Sequence, residues 1–154
     1  MPTLRIAIVA LAFLTASCAA LSGSREQYFV CSYDMVWDAA LETMKGQSIA
    51  SYDKEKGLIE TAWLDVPPTS ERSFGMFGRE GFGNKERARM TVSVKRMNDV
   101  ASVSILEIRQ RWHARGGVTQ QATRWWPIDP SEDATNEVVD RLNAKLKEKG
   151  CTAA

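Results

Sequence analysis

Few side chains in this sequence have the chemistry that catalysis or metal binding requires. His113 is the only histidine, and the upstream serines Ser102 and Ser104 lack the pattern that exposes a nucleophile at a sharp turn. No C-x-x-C pair occurs, and no second histidine could share a metal site. The sequence therefore predicts no catalytic residue, no metal site and no cofactor.

Cys18 is the exception, because the residues before it have the pattern of an export signal. A cationic start, an apolar run over 6–14 and the small residues Ala16 and Ser17 precede it. The run is too short to span a membrane, which takes about 20 apolar residues. This pattern is typical of a bacterial lipoprotein signal, in which residues 1–17 are cleaved and Cys18 receives fatty acyl chains such as palmitate. The alternative is an ordinary signal peptide that carries a cysteine.

Cys31 and Cys151 remain as an even pair in an oxidising compartment. One precedes the first predicted helix and the other follows the last. A bond between them would close nearly the whole domain, and loop-closure entropy would make it worth about 4–5 kcal/mol. Two unrelated thiols are the alternative, because spacing alone does not bring two side chains together.

The mature chain is long enough for one domain. Residues 18–25 are predicted to form a lipidated tether and residues 26–151 a single α+β domain. The order is helix, antiparallel strands, helix, and both amphipathic helices must bury their apolar stripes. We therefore expect a two-layer sandwich of an antiparallel sheet packed against two helices. Strands are predicted at 48–53, 58–64, 87–96, 100–112 and 118–126, with 27–30 as a further candidate.

Capping signals set the predicted bounds of the two helices. The first helix is predicted over 33–45, with Ser32 as its N-cap. The second is predicted to follow an N-cap at Asp129, with Pro130 at N1 and Glu132 at N3. Gly150 is predicted to end it.

Alternation along the strands predicts which side chains share a face of the sheet. Met90, Val92 and Val94 are expected on one face of their strand. Trp63 is expected on the same side of its strand as Ile59 and therefore in the core.

The arginines on the strands are predicted to form a basic outward face. Residues 85–124 contain nine Lys or Arg and only three acidic residues. The mature protein as a whole is neutral, so it has no general attraction to nucleic acid. We expect Arg89, Arg109 and Arg111 to be candidates for contact with anionic lipid headgroups or an acidic partner. A solvated face that protects the sheet edges is the alternative.

A glycine-rich segment over 73–84 is the second candidate contact. Its length and its exposed apolar residues suit docking against a partner or a membrane surface. The alternative is that these residues fold back over the sheet as part of the core. The candidate residues are Phe74, Met76, Phe77 and Phe82.

Several of these segments resemble the periplasmic BamC-type lipoprotein domains. The run from Tyr33 to Leu41 is similar to their V-W-x-A helix. Asp53 and Gly57 are similar to the turn of their D-x-x-x-G-x-I-x-T-x-W motif, and the residues from Ile59 to Trp63 to its strand. The resemblance covers most of residues 31–149.

The resemblance implies a helix-grip-like fold and a non-catalytic role in outer-membrane assembly or envelope maintenance. Ala19 follows the lipidated cysteine, and by analogy with lipoproteins of enteric bacteria this implies the periplasmic face of the outer membrane. Two other functions are left open. One is a carrier that holds a lipid or another amphiphile between sheet and helix. The other is an envelope hydrolase that uses His113.

Overall fold

The computed structural model describes residues 24–68, 85–113 and 124–154, which form one antiparallel sheet and two helices. The α+β class is confirmed. The predicted order of helix, strands and helix is not matched, because a strand that includes the candidate at 27–30 precedes the first helix and another strand follows the second. In chain order the elements are β1 (Ser24–Val30), α1 (Tyr33–Met44), β2 (Ile49–Asp53), β3 (Leu58–Thr61), β4 (Leu64–Val66), β5 (Glu86–Met97), β6 (Val100–His113), β7 (Arg124–Ile128), α2 (Glu132–Glu148) and β8 (Thr152–Ala153).

The long hairpin of β5 and β6 forms the centre of the eight-stranded sheet. The main strand order is β2-β3-β5-β6-β1-β8, while β4 pairs with β5 and β7 pairs with β6. The two hairpin strands pair from Glu86 opposite Arg111 to Met97 opposite Val100. Asn98, with a φ of 54°, and Asp99 make the two-residue turn between them.

Both helices pack on the same face of the sheet, which we call the inner face. Met90, Val92 and Val94 all point to this face and are buried, so their predicted grouping is confirmed. Trp37 is also buried, as an apolar position on the first helix predicts. The core that joins the two layers contains Val36, Trp37 and Met44 of α1, Val138, Leu142 and Leu146 of α2, and Ile59, Val92, Val94, Val103 and Ile105 of the sheet.

The Cys31–Cys151 disulfide is present, with the two Cα atoms 5.4 Å apart across 120 residues of sequence. Gly150 makes this pairing possible, because its φ of 80° ends α2 and turns the chain back toward β1. The amides of Gly150 and Cys151 then donate to the carbonyls of Lys147 and Leu146, at 3.0 and 2.9 Å.

One helix start agrees with its capping signal and the other does not. Ser32 caps α1, and its hydroxyl accepts from the Met35 amide. The predicted N-cap at Asp129 is wrong by two residues. Ser131 caps α2 and accepts from the Ala134 amide, so Glu132 lies at N1 rather than N3. Asp129 and Ser131 are both residue types that commonly cap the N-terminus of a helix, so the local sequence does not decide which of them caps α2.

The turn between β2 and β3 depends on one aspartate and one glycine. The Asp53 carboxylate accepts from the amides of Glu55 and Lys56, at 3.0 and 3.1 Å. Gly57 has a φ of 65°, and a Cβ at this position would lie 1.9 Å from the Val94 carbonyl oxygen. Glycine is therefore required for the turn to pack against β5.

Candidate functional site

The strand arginines do not form the single outward face that the sequence predicts. Ala88 pairs with Arg109 and Glu86 pairs with Arg111, so both β6 arginines point to the inner face. Arg89 points to the opposite face, which we call the outer face. The expectation that Arg109 and Arg111 face outward together with Arg89 is therefore wrong. Because the turn has two residues, each even-numbered residue of β5 pairs with an odd-numbered residue of β6. The odd-numbered residues of β6 therefore point to the inner face, whereas the odd-numbered residues of β5 point to the outer face.

The inner arginines belong to a buried ion cluster with two glutamates, which we call the inner cluster. Arg109 Nε lies 3.0 Å from Glu86 Oε2, and Arg111 Nε donates to Glu86 Oε1 at 2.8 Å. The Glu86 side chain is 0% exposed, and those of Glu107 and Arg109 are 3% and 6% exposed. Two carboxylates and two guanidinium groups balance, so the inner cluster is formally neutral.

The inner cluster connects the hairpin to the elements around it. Ala88 lies opposite Arg109, and its small side chain leaves room on this face for the guanidinium. Arg109 Nη2 donates to the Pro67 carbonyl at 2.8 Å, just beyond β4. Glu107 accepts the backbone N–H of Ser131, the N-cap of α2, where the helix dipole favours negative charge. These contacts give Arg109 and Glu107 a structural role in the interior.

On the outer face, aromatic and arginine side chains stack on one another to form what we call the outer cluster. The Arg87 guanidinium carbon lies 4.4 Å from the Trp63 ring centroid and 4.2 Å from that of Trp125. Arg89 lies 5.2 Å from the Trp63 ring, and Trp112 packs edge-on against Trp125 at 5.5 Å. These distances fall within the range of cation–π attraction.

Trp63 reaches the outer cluster because the strand that carries it is interrupted. β3 ends at Thr61 and β4 begins at Leu64, so alternation does not continue through Trp63. Thr61 stays on the inner face, where its hydroxyl accepts the Met90 amide at 2.8 Å. The prediction that Trp63 belongs to the core is wrong, since it is half-buried on the outer face.

The two outer arginines have no carboxylate within ion-pair distance among the described residues. Arg87 donates from Nε and Nη2 to Gln110 Oε1, at 3.0 and 2.8 Å. Arg89 Nε is buried and has no hydrogen-bond partner. Asp65 pairs with Arg87 across the strands without forming an ion pair. Among the described residues, the outer cluster therefore presents cationic groups that stacking holds in place and that form no ion pair with an acid.

The sequence patterns indicated this cluster only in part. Arginines two residues apart on a strand, Arg87 and Arg89, do indicate a shared face. The pairing of Trp112 with Trp125 across β6 and β7 depends on strand register, which separate segments of sequence do not reveal.

The structure describes only some of the residues that the sequence analysis singled out. His113 is the last residue of β6. Within 24–68, 85–113 and 124–154, no group of three or more His, Cys, Asp or Glu residues could hold a metal ion. Neither described helix is long and apolar enough to cross a membrane. The predicted residues outside these ranges are Cys18, Phe74, Met76, Phe77 and Phe82.

No protein-family model matches the chain, and no curated protein has significant sequence similarity to it.

Proposed function

We propose that this protein is a non-catalytic binding or scaffold module, anchored by acyl chains on Cys18 at the periplasmic face of the outer membrane. It would serve outer-membrane assembly or envelope maintenance there. One observation carries the proposal. The outer cluster offers stacked guanidinium groups, with no ion-pair partner in the described part of the chain, on the sheet face opposite both helices.

The chemistry of the outer cluster suits recognition more than reaction. Guanidinium groups between indole rings keep free N–H donors while they lose little side-chain entropy on binding. Tryptophan and arginine are also the residues most enriched where proteins bind partners. Arg87 and Trp63 therefore form a prepared contact surface.

The short tether supports a position close to the membrane. Six residue steps separate Cys18 from Ser24, the first residue of β1. Even a fully extended chain of this length spans only about 20 Å. Acyl chains on Cys18 would therefore keep the domain beside the bilayer, and each buried methylene contributes about 0.8 kcal/mol to anchoring.

The helix-grip-like fold and the BamC-type relationship are part of this proposal. The turn at Asp53 and Gly57 packs against β5, and the V-W-x-A-like stretch of α1 supplies buried Val36 and Trp37. These residues support a shared packing pattern. They carry no chemistry, which fits a domain that acts by presenting a surface.

Metabolic labelling and fractionation test the anchor. We expect cells given radiolabelled palmitate to label the wild-type protein and leave Cys18→Ser unlabelled. The labelled protein should sediment with outer-membrane fractions. An exported protein that is soluble and carries no palmitate contradicts the anchored module.

Complementation tests the non-catalytic function. In cells lacking the protein, we expect wild type and His113→Ala to restore resistance to a large antibiotic that an intact outer membrane excludes. Cys18→Ser and the double variant Arg87→Gln/Arg89→Gln should fail, although the latter accumulates normally. Loss of function in His113→Ala alone would favour the envelope hydrolase.

One groove favours the carrier of a lipid or amphiphile as a second candidate. A space of about 560 Å³ lies between β1, β8 and α2, and Phe29 and Leu146 are among its lining residues. Gln27 also lines the groove, and its Oε1 atom is buried without a hydrogen-bond partner among the described residues. Native mass spectrometry should detect a co-purified ligand if the protein is a carrier, and Asn143→Trp in the groove should reduce its occupancy.

A further inference from the structure

The outer cluster has unused capacity to bind an anion. Arg87 directs two of its nitrogens to Gln110, and its Nη1 makes no hydrogen bond to another described residue. Arg89 makes no hydrogen bond among the described residues, and its buried Nε lacks a partner. Both guanidinium groups are only partly exposed and are held by the Trp63 ring. Such donors fit the oxygens of a phosphate or carboxylate.

The sheet places this cluster beside the point where the tether leaves the domain. Ser24 pairs with Leu106 of β6, and Leu106 pairs with Thr91 of β5. The Ser24 hydroxyl lies 3.0 Å from the Ser104 hydroxyl. Strand spacing and rise put Arg89 about 12 Å from Ser24.

The cluster also lies toward the end of the sheet at which β1 begins. β1 and β5 run parallel to each other, since each is antiparallel to β6. Arg89 and Arg87 therefore lie beyond the level of Ser24, past the N-terminal end of β1. A domain held by its tether can bring this end of the outer face to the bilayer.

We propose that the outer cluster docks on the bilayer surface, where Arg87 and Arg89 bind the phosphates of anionic phospholipid headgroups. Trp63 and Trp125 would lie at headgroup level, which is the preferred depth of indole rings. This inference rests on the proposed acylation of Cys18, which brings the surface within reach.

Charge complementarity favours this occupant. Along the outer face of β5, Lys95 and the lysine that precedes the strand, Lys85, extend the basic row of the cluster. The carboxylates nearest in register are Asp65, opposite Arg87, and Glu60, opposite Thr91, and neither forms an ion pair with an arginine. An anionic lipid surface would interact with several of these cations at once. Each Arg or Lys near the surface would raise the affinity for the bilayer roughly fivefold.

Spin labels on the acylated, full mature protein test the docking. A label at Thr91→Cys reports on the outer face, and a matched label at Ala144→Cys reports on the exposed side of α2. Cys18 is acylated and the other two cysteines are bonded, so each introduced thiol is labelled alone. Accessibility to lipid-soluble oxygen and to an aqueous nickel chelate is measured on vesicles of phosphatidylcholine with or without phosphatidylglycerol.

We expect the Thr91 label to move from water to the lipid interface only when phosphatidylglycerol is present, while the Ala144 label stays in water. Arg87→Gln/Arg89→Gln removes two such charges and should shift the docking equilibrium toward the undocked state by roughly 25-fold. Protein that floats with the vesicles but keeps an aqueous Thr91 label overturns the docking and leaves the anchor intact. This result, together with protection of the label in native envelopes, points to an acidic protein partner instead. Protein that does not float at all overturns both proposals.

Discussion

Arg87 and Arg109 lie on neighbouring strands of one hairpin, yet their surroundings are opposite. Arg109 is buried on the inner face and meets the carboxylates of Glu86 and Glu107. Arg87 lies on the outer face between two indole rings and forms no ion pair with a carboxylate of the described segments. Burial explains the difference, because a charge without water must be neutralised, whereas a half-exposed charge is still partly hydrated.

The comparison separates structural charge from available charge. Both clusters contain two arginines, so the number of arginines alone would rank them as equal binding candidates. The inner cluster is neutral and holds β4, the hairpin and α2 together. Of the two clusters, the outer one has cationic groups that form no ion pair with any described residue.

The largest effect is expected from Glu86→Gln, which breaks the inner cluster. The change leaves Arg109 and Arg111 without their shared carboxylate in the interior. We expect a loss of about 3–5 kcal/mol in the free energy of unfolding, measured by urea denaturation. Glu60→Gln, at a half-buried position on the other face, is the matched control and should cost less than about 1 kcal/mol. Equal stability of the two variants would contradict a structural role for the inner cluster.

A smaller effect is expected from Glu107→Gln, which weakens the contact between the inner cluster and the start of α2. Glutamine can still accept the Ser131 amide, but the interaction of a carboxylate with the helix dipole is lost. We expect a loss of about 1–2 kcal/mol and faster hydrogen exchange at the Ser131 amide. Glu132→Gln, exposed in the same first turn, should cost less. If Glu132→Gln costs more, Glu107 is not the main anion at this helix start.

Arg87→Lys should cost little stability and so sharpen the contrast between the two faces. Lysine keeps the charge but loses the planar stack between Trp63 and Trp125. We expect a loss of about 1 kcal/mol and a change in tryptophan fluorescence. Lys95→Arg, on the exposed part of the same strand, should change neither measurement. A loss as large as that of Glu86→Gln would mean that the outer cluster is also structural.

The smallest effect is expected from exposed carboxylates outside both clusters. Hydrogen bonds hold the pKa values of three carboxylates below their ordinary range. The donor is the Lys54 side chain for Asp34, the Lys145 side chain for Glu42 and the Lys56 backbone amide for Asp53. Because the folded pKa values are depressed, the stability they contribute is complete above about pH 4–5 and is lost as the pH falls through them.

Thermal unfolding followed by circular dichroism between pH 7 and pH 3 measures this dependence. We expect the Tm to fall below about pH 4, and to fall less steeply in Asp53→Asn, which cannot be protonated there. An unchanged slope in Asp53→Asn would show that other carboxylates determine the acid sensitivity.

Local patterns were enough to predict most elements of the fold. The Ser32 cap, the helical apolar stripes and the alternation of Met90, Val92 and Val94 each depend on neighbours within a few residues. The same is true of the turn that Gly57 makes. The disulfide was left open because the positions of Cys31 and Cys151 depend on both ends of the domain.

The candidate site depended on long-range geometry. The length of one turn decided that Arg109 lies inside while Arg89 lies outside, and a two-residue break between β3 and β4 moved Trp63 to the outer face. A shift of one residue reverses the face of every later side chain on a strand.

The sequence by itself determined the composition of each strand and helix, together with the export pattern that ends at Cys18. The tertiary structure alone decided which charges meet a partner, because pairing requires segments more than 20 residues apart to adopt one register. Propensity acts within a few residues, whereas neutralisation of a buried charge depends on whatever the fold brings beside it.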